Sequence, residues 1–332
     1  MRVYVLGAGA SRHVGYPLAC QMGADLFDWM LRFPPESDYY SAAQGLSERF
    51  GSSPNIEDVI TELQAQISVL DTDKQEDRME RALFAHWRGS LVHAVREWFC
   101  QIREHKALGY RQLATSLLNP GDVVVTFNYD DSLERELRCA GKWDIHCGYG
   151  FPVGETAESP TLVIKLHGSI NWLASIFDGL RSGMAMTASN LSLGAGPLIP
   201  DADLAYLGYD GIPGHRFPGG GAFPAMIMPG RKKEFFYKTS FGAEWMGFWN
   251  ALWAEGAKAL QHANELVVCG YSLLPVDERA CDLILETPNK RIPVTIVSGD
   301  QSDRIASGFR KHGFRSVRAE QGSLFEEWVS TH

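Results

Sequence analysis

Val3, Tyr4, Val5 and Leu6 form an uninterrupted run of β-preferring side chains, which reads as a strand buried on both faces. Leu18, Met22, Leu26, Trp29 and Met30 then recur at near-helical spacing, predicting a helix over residues 18–32 that Pro34-Pro35 ends. Residues 53–118 look helical almost throughout. Ser53-Pro54-Asn55-Ile56-Glu57 reads as a helix start, and Ile56, Val59, Ile60, Leu63 and Ile67 form its apolar face. A second long helix is expected over about 75–105, where Met79, Leu83, Trp87, Leu91, Val95, Trp98 and Ile102 repeat as a core-packing stripe. Strands are expected at 122–127, 162–166, 225–228, 265–269 and 292–297. Helices are expected at 131–140, 242–262 and 277–287, with helix and short strand alternating in the remainder.

This alternation predicts an α/β fold: a Rossmann-like, mostly parallel sheet with helices on both faces. The chain reads as a single domain over 1–332, with an all-helical insertion at 33–118. Residues 178–224 are rich in Gly, Pro and Ser and include Gly219-Gly220-Gly221. They read as a long surface loop or a small irregular subdomain.

Hydrophobic residues make up 45% of the chain and charged residues 21%, as in ordinary soluble globular proteins. The net charge of -9 argues against a broad nucleic-acid-binding surface. Arg231-Lys232-Lys233 is a local basic run, read as a solvated turn rather than a phosphate contact. Cys20, Cys100, Cys139, Cys147, Cys269 and Cys281 form no Cys-x-x-Cys pair, which argues against a zinc ribbon, and nothing points to a disulfide framework. His13, His146 and His215 lack paired ligand spacing, so no metal site is expected. No stretch reaches about 18 apolar residues. The expectation is a cytoplasmic, reducing location with no membrane contact.

Chemistry gathers where the strands end. Gly7-Ala8-Gly9-Ala10-Ser11 follows the first strand. Its small residues would let backbone N–H groups approach a pyrophosphate, aided by the N-terminal end of the helix expected near Leu18. Thr126-Phe127-Asn128-Tyr129-Asp130, Lys165-Leu166-His167-Gly168-Ser169 and Gly270-Tyr271-Ser272-Leu273 close later strands. Open α/β sheets bind ligands at such ends. An ordinary dehydrogenase fingerprint does not fit, because Arg12 occupies the place of its third glycine.

The order of these four motifs resembles that of the sirtuins. That family carries Gly-Ala-Gly-x-Ser, Thr-x-Asn-x-Asp, a strand ending in His-Gly and a Gly-x-Ser-Leu turn. They match residues 7–11, 126–130, 167–168 and 270–273, and the resemblance covers the α/β portion, about two thirds of the chain. Two departures stand out. No cysteine lies between Cys147 and Cys269, where deacylases carry a zinc module, and Gly15-Tyr16-Pro17-Leu18-Ala19 replaces their Asp-Phe-Arg region. The helical block and the Pro275/Asp277 pair look instead like the bacterial sirtuin-like branch, whose members hydrolyse NAD, often as effectors of anti-phage defence.

The resemblance implies NAD as substrate and no metal. His167 would act as general base toward a ribose hydroxyl or a water, and Asn128 would bind ribose hydroxyls or position that water. Read without the resemblance, Asn128 could instead cap the helix that follows. Asp130 would orient Asn128, place negative charge near an oxocarbenium-like ribose, or serve as an N-cap. Gly7, Ala8, Gly9, Ala10 and Ser11 would hold phosphate, with Thr126 beside the site. Gly270 and Ser272 would border the other side of the nucleotide, and Ser298 or Asp300 would meet the adenosine ribose. Pro275 and Asp277 read as the structural start of a helix.

The expected activity is NAD glycohydrolysis to nicotinamide and ADP-ribose. The alternatives are an NAD- or ADP-ribose-binding sensor or assembly subunit without turnover, and a protein deacylase or ADP-ribosyltransferase. Because uncontrolled NAD loss is lethal, a homo-oligomer or a separately encoded partner such as a nucleoside-triphosphatase is expected as regulator, with no direct nucleic-acid binding.

Overall fold

The computed structural model describes residues 1–70, 73–102, 106–151, 159–175, 205–207, 222–230, 245–273 and 277–332. Six parallel strands form the main sheet: β1 (Arg2–Leu6), β2 (Val123–Thr126), β3 (Leu162–Lys165), β7 (Glu265–Cys269), β8 (Pro293–Val297) and β9 (Ser316–Glu320). Their order is β3-β2-β1-β7-β8-β9. The chain therefore winds outward one way from β1, returns to its other side at β7, and winds outward again. That is the doubly wound arrangement, with its crevice at the C-terminal ends of the central strands. Val3, Val5 and Leu6 are fully buried or nearly so, as a central strand covered by helices requires.

A second sheet contains β4 (Gly168–Ser175), β5 (Ala205–Leu207) and β6 (Ala222–Met226), with β4 central and antiparallel to β6. Its strands lie where the sequence pattern pointed to a site turn, an irregular stretch and a strand at 225–228. Only Leu166 and His167 separate β3 from β4. Gly168 makes that corner possible: its φ is +80°, and a Cβ there would stand 1.9 Å from the Ala225 carbonyl oxygen.

Between β1 and β2 lie α1 (Ala8–Ser11), α2 (Ala19–Met30), α3 (Asp38–Phe50), α4 (Ile56–Val69), α5 (Gln75–Ile102) and α6 (Leu108–Gln112), the last running into a π-helical turn over Leu113–Leu117. Helix α3 escapes periodicity because its buried positions include the small Ala42 and Ala43; its start is set by Ser37, whose hydroxyl accepts from the Tyr40 N–H. The later helices are α7 (Ser132–Cys139), α8 (Trp245–Gln261), α9 (Glu278–Glu286), α10 (Ser302–Lys311) and α11 (Phe325–Thr331). Of residues 178–224, only 205–207 and 222–224 are among those described; Gly219-Gly220-Gly221, Arg231-Lys232-Lys233, His215 and Pro275 lie outside them. Among the described residues no helix is long and apolar enough to cross a membrane.

Helix α5 braces the second sheet. Arg96 Nε donates to the Ile170 carbonyl at 2.9 Å, and the His93 ring meets Phe223 edge-on at 5.1 Å. Burial lowers the His93 pKa to about 4, and Arg96 acts in the same direction. The unfolded chain therefore binds a proton at His93 between about pH 6.5 and pH 4 that the folded chain rejects, so stability is lost as pH falls through that window. Denaturant unfolding of His93→Phe against the parent is expected to show a shallower acid decline, by about 3 kcal/mol at pH 4.

Candidate active site

All six strands of the main sheet deliver residues to one cavity of about 600 Å³ at their C-terminal ends. Its lining takes Gly7 to Gly9, Ser11 and Arg12 after β1, residues 127–130 after β2, and His167 after β3. It also takes Gly270 to Ser272 after β7, Ser298 to Gln301 after β8, and Leu324 and Phe325 after β9. The volume falls within the range of small-molecule and cofactor sites. Thr126 and Ala10 stand behind this wall rather than in it.

At the heart of the wall is Ser11. Its hydroxyl donates to Asp130 Oδ2 at 2.6 Å, so it must accept from Tyr110 Oη at 2.7 Å and from Asn128 Nδ2 at 2.9 Å. The Asn128 amide nitrogen also donates to the Gly7 carbonyl at 2.9 Å. A carbonyl can only accept, which fixes which end of the carboxamide is nitrogen. With both amide hydrogens committed, the oxygen is the part of Asn128 left to meet a hydroxyl or a water. Asp130 is held at its other oxygen by the Ser132 N–H, at 3.2 Å. It therefore orients Asn128 through Ser11 rather than by direct contact. Thr126 donates to the Leu6 carbonyl and accepts from the Asn128 N–H, locking the β2 end to the β1 end. Tyr110 comes from α6 and is fully buried; burial, with Asp130 nearby, raises its pKa well above the usual value and keeps it a donor.

The glycine-rich loop differs from the sequence expectation in two ways. A short helix, α1, starts at once at Ala8, and the helix expected near Leu18 follows it as α2, with Leu18 at its N-cap. The amides of Gly7 and Gly9 donate to the carbonyls of Cys269 and Gly270, both at 3.0 Å, and Ala10 N–H donates to Gly7 O. The glycines thus answer the close approach of two protein loops. A Cβ on Gly270, at φ +62°, would stand 2.2 Å from the Ala10 nitrogen. The hydroxyl of Ser11, expected on phosphate, is committed to the network above. Positive charge at the cavity comes instead from Arg12 and Arg304, neither of them singled out from sequence as a ligand. Arg304 is anchored by bonds to the Ser272 carbonyl and to Gln301 Oε1, at 2.6 and 2.8 Å.

His167 is 5% exposed and sits among rings: Phe127 at 5.1 Å, Trp253 at 6.4 Å and Tyr129 at 6.5 Å. Phe127 stacks on Tyr271 at 4.7 Å. Asp277, read from sequence as a structural helix start, occupies the N-cap position of α9 but makes no cap bond; its Oδ2 lies 3.8 Å from His167 Nε2. Ser298 Oγ is buried at the cavity and, among the described residues, has no hydrogen-bond partner, while Asp300 is exposed at the rim. Beneath the site, Lys165 is completely buried, 2.9 Å from Glu134 of α7, and donates to the Asp130 carbonyl. Burial pushes the Glu134 carboxyl up to about 7 against the opposing Lys165 ammonium. A lone lysine in the run Ile164-Lys165-Leu166 was the available sequence signal for this pair. Among the described residues no group of three His, Cys, Asp or Glu side chains is gathered as metal ligands would be.

No family model matches this sequence, and no curated protein matches it. Among solved structures the chain is similar to one described as the structural basis of sirtuin substrate affinity, at 14% identity and a TM-score of 0.38, over 100% of this chain and 93% of that one. It is also similar to a Sir2 homologue in complex with NAD, at 12% identity and a TM-score of 0.43, over 99% and 86%. A third, on the mechanism and regulation of Sir2 enzymes, gives 13% identity and a TM-score of 0.40, over 99% and 88%. Identities and TM-scores this low leave the activity to be argued from this chain's own side chains.

Proposed function

We propose that this chain is an NAD glycohydrolase, cleaving NAD to nicotinamide and ADP-ribose. The observation that carries the reading is the meeting, at one cavity, of the Asn128 carboxamide, the His167 imidazole and the Asp130 carboxylate. Motifs that resemble those of sirtuins in order supply all three. In the reaction the bond from ribose C1′ to the pyridinium nitrogen breaks, and its electron pair neutralises that nitrogen. Water adds to C1′, and its proton passes to His167 and then to solvent. Asn128, held by Gly7 and Ser11, accepts from a ribose hydroxyl or from the water, and Asp130 opposes the positive charge that develops on the ribose.

The rest of the cavity suits the rest of the molecule. Arg12 and Arg304 offer charge to the diphosphate. The Ser298 hydroxyl, without a hydrogen-bond partner among the described residues, and the Asp300 carboxylate suit the adenosine ribose. The stacked Phe127 and Tyr271 rings offer a flat surface to a planar base. The resemblance to the bacterial sirtuin-like branch further supports a role as an effector of anti-phage defence through NAD depletion. A homo-oligomer or a nucleoside-triphosphatase partner would hold the activity in check.

Incubating the purified chain with NAD and following nicotinamide and ADP-ribose by mass spectrometry tests the reading. Equimolar appearance of both is expected. Tight NAD binding without either product, whatever the oligomeric state, would overturn hydrolysis in favour of a sensor. Transfer of ADP-ribose or loss of an acyl group from protein would favour the transferase or deacylase alternatives.

A further inference from the structure

We propose that Asp277 is a positioning residue for His167, one that holds the imidazole by its Nε2 edge and stabilises the imidazolium formed when His167 takes the proton of the attacking water. The inference rests on the hydrolase reading. An aspartate at an N-cap ordinarily accepts from a first-turn amide of its own helix. Asp277 does not. Its carboxylate turns to the cavity instead, 3.8 Å from His167 Nε2, and both side chains are shielded, at 13% and 7% exposure. Tyr271 Oη lies 3.5 Å from the same carboxylate oxygen, and the stack of Tyr271 on Phe127 fixes that hydroxyl in turn. A length of 3.8 Å exceeds a direct hydrogen bond but suits an ion pair that tightens as the ring gains charge. A carboxylate beside Nε2 favours the tautomer with hydrogen on that nitrogen.

Other ionisable groups face His167 from the surrounding elements. Tyr129 and Asp130 stand on the loop after β2. Arg279 of α9 lies over the Trp253 ring, at 4.2 Å, and the Lys165–Glu134 pair stands at the end of β3, next to His167. Arg279 and Lys165 oppose an imidazolium, and Asp277 is placed to offset them. The sign follows: the carboxylate raises the His167 pKa, so removing its charge lowers it.

The test is an NMR titration of the His167 ring in the parent protein and in Asp277→Asn, read beside the pH profile of NAD turnover. Asp277 makes no cap bond to α9 and asparagine has nearly its shape, so the variant loses the charge and keeps its fold. The midpoint is expected to fall by about one pH unit. With it, kcat should drop about tenfold to a hundredfold, KM for NAD should stay within about twofold, and the acid limb should move to lower pH. Asp277→Glu, which keeps the charge, should hold the midpoint near the parent value. An unmoved midpoint in Asp277→Asn overturns the proposal, even if turnover falls, because a purely structural role would produce that pattern. A midpoint that moves in a parent protein that consumes no NAD supports the pairing and overturns the hydrolase reading, so the two failures are told apart.

Discussion

His167→Ala is expected to lower NAD turnover by about a thousandfold, the middle of the range for loss of a general base. The KM for NAD should change little, because the ring is enclosed by Phe127, Tyr129 and Trp253 and contributes to the reacting end of the cavity rather than to the charged end. Asn128→Ala should cost comparably. It removes the oxygen that meets the ribose or the water, and it also strips one donor from Ser11, loosening Asp130. The two losses should not add in the double variant, since residues that act as one unit rarely do. Initial rates of nicotinamide release across a range of NAD concentrations measure all of this. Undiminished release from both single variants would remove these strand ends from the chemistry.

Gly168→Ala is expected to destabilise the fold by about 4 kcal/mol, combining a left-handed backbone conformation with an overpacked contact. The added methyl would lie 1.9 Å from the Ala225 carbonyl oxygen, which is backbone and cannot swing aside as a side chain does. Relief requires β6 to move away from β4, breaking the pairing of Gly168 with Met226 and the bond from the Ile227 N–H to the His167 carbonyl at 2.8 Å. The same corner aims His167, so activity should fall before global unfolding is complete. Denaturant midpoints at constant m-value check the stability, and a loss under 1 kcal/mol would show that the corner is not constrained as described.

The buried strands of the main sheet were legible because each is a short run of mostly β-branched or apolar residues, closed within a few positions by Gly, Asn or Ser. Strand β7 lies within the bounds its pattern indicates, and β2, β3 and β8 within about a residue or two. Strands β4 and β5 were not legible. The first begins at a glycine inside a motif that reads as a site turn, and the second lies in a stretch rich in Gly, Pro and Ser, so neither shows alternation against a background.

The candidate site divides along the same line. The sequence by itself determined which residues end the strands, and hence that Asn128, Asp130, His167, Gly270 and Ser272 stand on one edge of the sheet, because parallel strands put every C-terminal end on the same side. What each group does there was decided only by tertiary structure. Tyr110 reaches Ser11 across 99 positions, and Asp130 reaches it across 119. Gly7 and Gly9 turn out to serve the approach of the Gly270 loop, and Asp277 turns from its helix toward His167. The reason is physical: a hydrogen bond depends on position and direction in space to a few tenths of an ångström, and local periodicity carries no record of which distant segment supplies the partner.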